Sequence, residues 1–286
     1  MPTELLSPAE AVARHVPPGA SVAVGGMHMT AAPMSLVREL VRQRVRVRRL
    51  VTSPSASLQA DLPVGAGLVE EIVSPYVGFE HLGLAPCFRR AVEEGALRVL
   101  ECDEGSLTHA LYAGAGGIAF VPCPPGLERT GIPDVDPELY ARVRDPWTGE
   151  ERWAVRALRP DVALIAAREA DASGTVALDR FPFTDRWMAL AARRLVVQVE
   201  RVVEGGLAGR APGKTIPGFL VAAVVVAPGG CHPTAQPGEY PADEDAIRAY
   251  LRAAREPEAL GAYLEERIRA ASEEEYLRTV RPGRSA

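Results

Sequence analysis

Lysine is almost absent. Of the 32 basic residues in this 286-residue chain, only Lys214 is not an arginine. A mechanism built on a Schiff-base amine therefore has one candidate, set in the loop GRAPGKTIPG without the apolar surroundings such a lysine needs. Cysteine is scarce as well: Cys87, Cys102, Cys123 and Cys231 stand singly, with no C-x-x-C. That pattern fits reduced thiols in a cytoplasmic protein better than a disulfide framework. His15, His28, His81, His109 and His232 are scattered, with no H-E-x-x-H pairing, so no metal site is expected. The longest apolar run, FLVAAVVVA at 219–227, is about nine residues, far short of the roughly 20 that span a bilayer. The opening MPTELLSPAEAVARHV lacks the basic and apolar regions of a signal peptide. A formal net charge of -5 argues against nucleic acid or an anionic membrane as partner. The local exception, RQRVRVRR at 42–49, reads as the exposed end of a helix running into a strand, with a phosphate patch as the alternative. No P-loop, G-x-G-x-x-G or G-x-S-x-G occurs, which disfavours nucleotide binding and serine α/β-hydrolase chemistry.

What is present is an alternation of apolar strand-like runs with helical segments. SPAEAVARHV carries the Ser7–Glu10 spacing of a capping box with Pro8 at the first helical position. Strands are expected at SVAVGG, RRLVTS, EEIVS, ALRVLE, DVALIAA, LVVQVERV and LVAAVVVA. Helices are expected at PMSLVRELVRQ, PCFRRAVEEG, SLTHALYAGAG, FTDRWMALAARR, DEDAIRAYLRAAR and, as one piece, EALGAYLEERIRAASEEEYLRTV. Strands without apolar–polar alternation are buried on both faces. The fold class is therefore α/β, an open and mostly parallel sheet with helices on both faces plus C-terminal helices. We read 1–286 as a single domain, with a Pro/Gly-rich excursion at 122–150 and a helical C-terminal segment from about 243. The excursion is too long for an ordinary connection, so it crosses the site or meets a partner chain.

In such sheets ligands bind at loops leaving the carboxyl ends of strands. The candidates are Gly25-Gly26-Met27-His28, Ser53-Pro54-Ser55, Asp103-Glu104-Gly105, Glu169-Ala170-Asp171 and Gly229-Gly230-Cys231-His232. Gly25 and Gly26 would let backbone N–H groups approach a polarised carbonyl, or simply make a tight turn. Cys231 and His232 are adjacent, a poor geometry for a catalytic pair. Asp103 and Glu104 could act as base or nucleophile, or could only complement the start of the following helix. Met27, Met29, Met34 and Phe79 lie near these loops and offer an acyl pocket, with plain packing as the alternative.

Assembled in order, these loops resemble a known family. SVAVGGMHMTAAPMSLVRELVRQ is similar to the N-terminal motif of the A (alpha) subunits of family I coenzyme A transferases. ADASGTVAL, FTDRWMALAARRLVVQVERVV and VVVAPGGCHPTAQPGEYPADEDAI resemble the A subunit of glutaconate coenzyme A transferase, and the similarity covers roughly residues 5 to 265. The resemblance implies an obligate heteromer with a B (beta) subunit in an A2B2 heterotetramer, and a site at the interface. It also implies a nucleophilic glutamate on B, no cofactor (CoA enters as part of the substrate), and acyl-CoA and carboxylic acid substrates. Gly25 and Gly26 match the glycine turn, and His232 the closing histidine, for which a structural hydrogen bond is expected. Met27, His28, Ser53, Phe79 and Asp103 are the other expected substrate contacts. DEG at 103–105, together with GFEHLG at 78–83, instead resembles a related steroid ring-opening hydrolase of CoA thioesters. That resemblance makes Glu104 a general base for C–C cleavage. A third reading is a non-catalytic acyl-CoA-binding or assembly partner.

Overall fold

The structure, a computed structural model, describes residues 3–178, 183–209 and 214–280. The first half runs β1 (Glu4–Leu6), α1 (Pro8–His15), β2 (Ala20–Val24), α2 (Met34–Arg42), β3 (Val47–Thr52), α3 (Leu58–Gly65), β4 (Val69–Val73), α4 (Pro86–Glu93), β5 (Arg98–Leu100) and α5 (Glu104–Ala115). The excursion holds β6 (Phe120–Pro122), α6 (Ile132–Val135), β7 (Tyr140–Arg144) and β8 (Glu151–Arg156). Then come β9 (Val162–Asp171), β10 (Val176–Ala177), α7 (Asp185–Ala191), β11 (Arg194–Val203), β12 (Thr215–Ile216) and β13 (Ala223–Val226). Helices α8 (Glu244–Ala253), α9 (Pro257–Tyr263) and α10 (Glu273–Val280) follow, with a π-helical turn at Leu264–Arg269.

The main sheet has the order β1-β13-β11-β9-β2-β3-β4-β5, and every neighbouring pair on this path is parallel. Among the described residues, the short β10 and β12 add the antiparallel pairs of this sheet, beside β9. Side chains alternate across this sheet as the pleat requires. Val22 and Val24 of β2 enter the core under α1–α4 and α8, while Ala23 enters the opposite core under α5 and α7. Both faces are covered, which is why the strands read as unbroken apolar runs.

From β2 the chain steps outward through β3, β4 and β5 on one side, and β9, β11 and β13 fill the other. The order thus reverses between β2 and β9, the point where open α/β sheets form a crevice. The loop after β2 is Gly25–His28.

Three features differ from the sequence reading. Residues 58–65 form a helix despite Pro63, because the segment packs Leu58, Ala60, Leu62 and Val64 into the core. The excursion is ordered as an antiparallel sheet, β6-β8-β7, that buries Leu127, Leu139, Tyr140 and Val155 against the α5 side of the main sheet. The last predicted helix is broken: Ser272 caps a new one, its Oγ accepting from Glu275 N and its own N–H donating to the Glu275 carboxylate. That S-x-x-E pattern is itself a helix-start signal.

The arginine-rich stretch is mostly paired with carboxylates. Arg42 bonds Glu39 and Glu273, while Arg48 and Arg49 bond Glu71, and Arg49 also bonds Glu138. Those pairs leave little charge there for a phosphate. Among the described residues, no helix is long and apolar enough to cross a membrane.

Candidate functional site

The Gly-Gly turn is shaped by packing. A Cβ on Gly25 would lie 2.8 Å from the Asp185 carboxylate, and one on Gly26 would lie 2.6 Å from the Ala32 backbone. Gly26 also has φ +82°, a conformation that side chains disfavour. The Gly25 N–H donates to Leu164 O at 2.9 Å. The Gly26 N–H donates to Asp185 Oδ1 and Oδ2 at 3.0 and 3.2 Å. Both amides are therefore used inside the chain and neither faces outward, which corrects the expectation that they stabilise an oxyanion. Asp185 is fully buried at the start of α7, and burial pushes its carboxyl up to about 7, with only the Gly26 N–H acting the other way.

Ser53 is also buried; its Oγ donates to Gly26 O. It braces the turn and does not reach the surface. Met34 and Phe79 are fully buried in the core, Phe79 with its ring 6.1 Å from that of Tyr250. They are packing residues, so the acyl-pocket reading does not hold for them. Met29 packs partly against the same core, whereas Met27 is half-buried and belongs to none of the core clusters.

His28 is where the loops converge. Its Nδ1 meets Glu80 Oε1, from the turn after β4, and lies 2.9 Å from Ser55 Oγ, from the loop after β3. Its N–H donates to Ser55 O at 2.8 Å, and Ser57 Oγ donates to its carbonyl at 2.6 Å. Ser55 lies in the Ser53-Pro54-Ser55 loop expected at the site, whereas Glu80, inside GFEHLG, has no role that the sequence assigns. The GFEHLG stretch drew attention to Phe79, whose burial in fact anchors the turn that presents Glu80.

Along the same sheet edge, Asp103 caps α5. Its carboxylate accepts from Gly105 N at 3.0 Å and from Ser106 N at 3.1 Å. Glu104 is exposed on the first turn of α5, and its carboxylate has no partner among the described residues. The excursion clasps this corner. Glu101 N donates to Asp136 Oδ2 at 3.0 Å, Ser106 Oγ is 2.8 Å from Tyr140 OH, and Pro124 lies against Gly105. From Glu104, Thr108 and Tyr112 follow on one helix face, lining a surface cavity of about 470 Å3 with His109, Val121, Pro122 and Trp187.

The remaining candidates are structural. The buried His232 ring bonds Tyr276 OH through Nδ1 at 2.8 Å and Asp243 Oδ2 through Nε2 at 3.1 Å. Burial lowers its pKa, opposed by Asp243. The Cys231 thiol is buried against Gln236 and Gln198, and burial raises its pKa strongly, so no Cys–His dyad forms. Asp171 accepts from Ser173 N, Thr175 N and Leu207 N, organising its own loop. Glu169 pairs with Arg201 at 2.7 Å. Lys214 is exposed, and residues 210–213 of its loop lie outside the described residues. Among the described residues, no three His, Cys, Asp or Glu side chains converge as metal ligands.

The coenzyme A transferase family model matches residues 5–227. An uncharacterized protein of Archaeoglobus fulgidus is 32% identical over 98% of this chain, which spans 63% of that protein's length. The A subunit of the 3-oxoadipate CoA-transferase of Pseudomonas knackmussii is 34% identical, over 93% of this chain and 94% of its own. The IpdA subunit of the cholesterol ring-cleaving hydrolase of Rhodococcus jostii is 31% identical, over 92% of this chain and 91% of its own. The crystal structure of glutaconate coenzyme A-transferase from Acidaminococcus fermentans superposes with a TM-score of 0.87 at 26% identity, covering 97% of this chain and 92% of that one. With both halves of the parallel sheet and the turn at its switch point inside the matched region, the chain belongs to the coenzyme A transferase family.

Proposed function

We propose that this chain is the A subunit of a heteromeric acyl-CoA:carboxylate coenzyme A transferase, and that it shapes the acyl site against a B subunit. The carrying observation is the composition of the sheet edge. Among the described residues, the Gly25 and Gly26 amides are spent internally and the Cys102 and Cys231 thiols are buried, so the edge offers shape and side-chain polarity while those amides and thiols serve neither as oxyanion donors nor as nucleophiles. A glutamate from the partner completes it. That carboxylate attacks the thioester carbonyl and forms a mixed anhydride as CoA leaves as thiolate. The thiolate then attacks the glutamyl carbonyl, giving a glutamyl-CoA thioester and releasing the first carboxylate, and an incoming carboxylate reverses the sequence. CoA enters with the substrate, and no resident cofactor is needed. Exposed Trp147 at the β7–β8 turn and Phe219, 91% and 79% accessible, fit a surface that a partner covers. The test is to incubate the reconstituted A–B complex with acyl-CoA and trap with borohydride or hydroxylamine. A mass shift on one glutamate of B is expected, with CoA exchange only when both chains are present. An active complex that never yields the adduct rejects the reading.

A second reading has its own observation. The Glu104 carboxylate has no partner among the described residues, and Glu104 lies one helical turn before Thr108, which lines the cavity along α5. The IpdA subunit of a ring-cleaving hydrolase is among the relatives. On that reading Glu104 is the general base for ring opening of a cyclic β-keto acyl-CoA. Glu104→Gln should then abolish turnover of such a substrate with the fold intact. An unaffected rate rejects it.

A further inference from the structure

Two residues on different loops hold left-handed backbone conformations and meet side chain to side chain. His28 has φ 54° and Glu80 has φ 52°, and neither is glycine. Such conformations persist only where the surroundings over-determine them, and they cluster at functional sites. The surroundings here are explicit. His28 is clamped by Ser55 O and Ser57 Oγ, and Glu80 by the tight turn in which Phe79 N donates to Gly83 O and Gly83 N to Glu80 O. The product is one contact, Nδ1 of His28 against Oε1 of Glu80, with Ser55 Oγ 2.9 Å from the nitrogen and 3.4 Å from the carboxylate. An exposed ion pair alone returns too little to offset two such conformations. His81, by contrast, pairs with Glu244 in an ordinary surface contact.

The arrangement has a chemical consequence. A carboxylate on Nδ1 holds the proton there, so the lone pair sits on Nε2. Nε2 has no partner among the described residues, and the side chain is 40% exposed. Consecutive parallel strands β2, β3 and β4 deliver the three groups, at the edge where the family's acyl site is proposed. The adjacent carboxylate disfavours binding a second anion at this imidazole and leaves the Nε2 lone pair to accept a hydrogen bond from water.

We propose that His28, positioned by Glu80 and Ser55, is a general base that activates water in the acyl site, giving the complex a thioester hydrolase activity beside CoA exchange. This rests on the proposed placement of the acyl site. In the step, Nε2 takes a proton from water as the water oxygen bonds to the thioester carbonyl carbon. The C–S bond breaks with its electron pair on sulfur, and the imidazolium returns the proton to the thiolate. Carboxylic acid and CoA thiol leave, and the imidazole is regenerated.

The experiment uses the reconstituted A–B complex and follows thiol release from acyl-CoA without an acceptor acid, in parallel with CoA exchange when acceptor is present. His28→Asn is the variant of choice, because asparagine also adopts the left-handed conformation. It should lower thiol release about 100-fold. Glu80→Gln should lower it about 10-fold, with Glu80→Asp recovering part of the loss. Folding is checked by melting, and diethyl pyrocarbonate labelling of wild-type His28 should be blocked by acyl-CoA. Wild-type thiol release in a folded His28→Asn complex overturns the proposal, as does labelling that acyl-CoA leaves untouched. A complex without CoA exchange but with His28-dependent hydrolysis rejects the transferase reading and keeps this one. Exchange with His28-independent hydrolysis does the reverse.

Discussion

Replacing Glu273 with alanine is expected to cost about 3–5 kcal/mol of stability, because it strands buried guanidinium charge. Arg38 is 1% exposed in the middle of α2, and Glu273, 5% exposed, comes from α10 at the other end of the chain. Arg38 Nε donates to both Glu273 oxygens, at 3.2 and 2.9 Å, and its guanidinium lies 4.0 Å from the Tyr276 ring centroid. Arg42 donates to the same carboxylate at 2.7 Å. Burial pushes the Glu273 carboxyl upward, but Arg38, Ser35 and Arg42 together hold it below its ordinary value. Its stabilising contribution is thus present above about pH 4.5 and fades as pH falls through the lowered pKa. The consequence reaches the site, since Arg38 also bonds the His232 carbonyl. Three residues on, Ala235 exchanges backbone hydrogen bonds with Met29 and Ala31 beside the Gly-Gly turn. Urea denaturation near pH 7 is the measurement, and the melting temperature should fall by roughly 10 °C. Glu273→Gln, which keeps part of the hydrogen bonding, should lose less. A loss under about 1 kcal/mol for the alanine variant would show that the guanidiniums find water or another carboxylate.

Asp185 carries the second large effect, with the opposite sign in pH. Its folded pKa of about 7 stands above the unfolded 3.8, because burial penalises the charged form. Below the unfolded value both states are protonated and nothing is lost. Between about 4 and 7 the unfolded chain ionises first, so stability falls with rising pH. Above 7 the penalty levels off, at about 4 kcal/mol for this single group. Asp185→Asn keeps an oxygen for the Gly26 N–H and cannot ionise. Its stability relative to wild type should therefore climb from pH 4 to 7 and plateau, ending several kcal/mol in its favour. Taking the difference between the two proteins at each pH cancels the contribution of Asp61, another buried carboxyl pushed up to about 6. A difference that stays flat across that range would mean that water or a local opening solvates Asp185.

Much of the frame is legible in the chain itself. Apolar runs such as DVALIAA and LVVQVERV form the central strands β9 and β11, and the Ser7–Glu10 capping box starts α1 as its spacing requires. These signals are local, and burial on both faces of a sheet leaves a mark on every residue of a strand. The same logic locates the carboxyl-edge loops and the excursion, although its antiparallel hairpin is hidden by prolines and charges. His28 and Glu104 are identifiable from the sequence, and both stand exposed on the edge where the strand ends place them.

The sequence by itself therefore determined the α/β class, most strand and helix positions of the main sheet and its layers, the family and the loops that make the edge. Tertiary structure alone decided which residues of those loops face outward and what holds them. The Gly25–Gly26 amides turned inward because Asp185, 159 residues away, supplies a buried acceptor for one of them. Phe79 went to the core and delivered its neighbour Glu80 to His28, 52 residues distant. Arg38, on a helix that reads as amphipathic, is buried because Glu273 arrives from 235 residues further on. A hydrogen bond or ion pair between such distant residues depends on where the sheet order places their strands and helices. No periodicity or spacing in the chain encodes that placement directly.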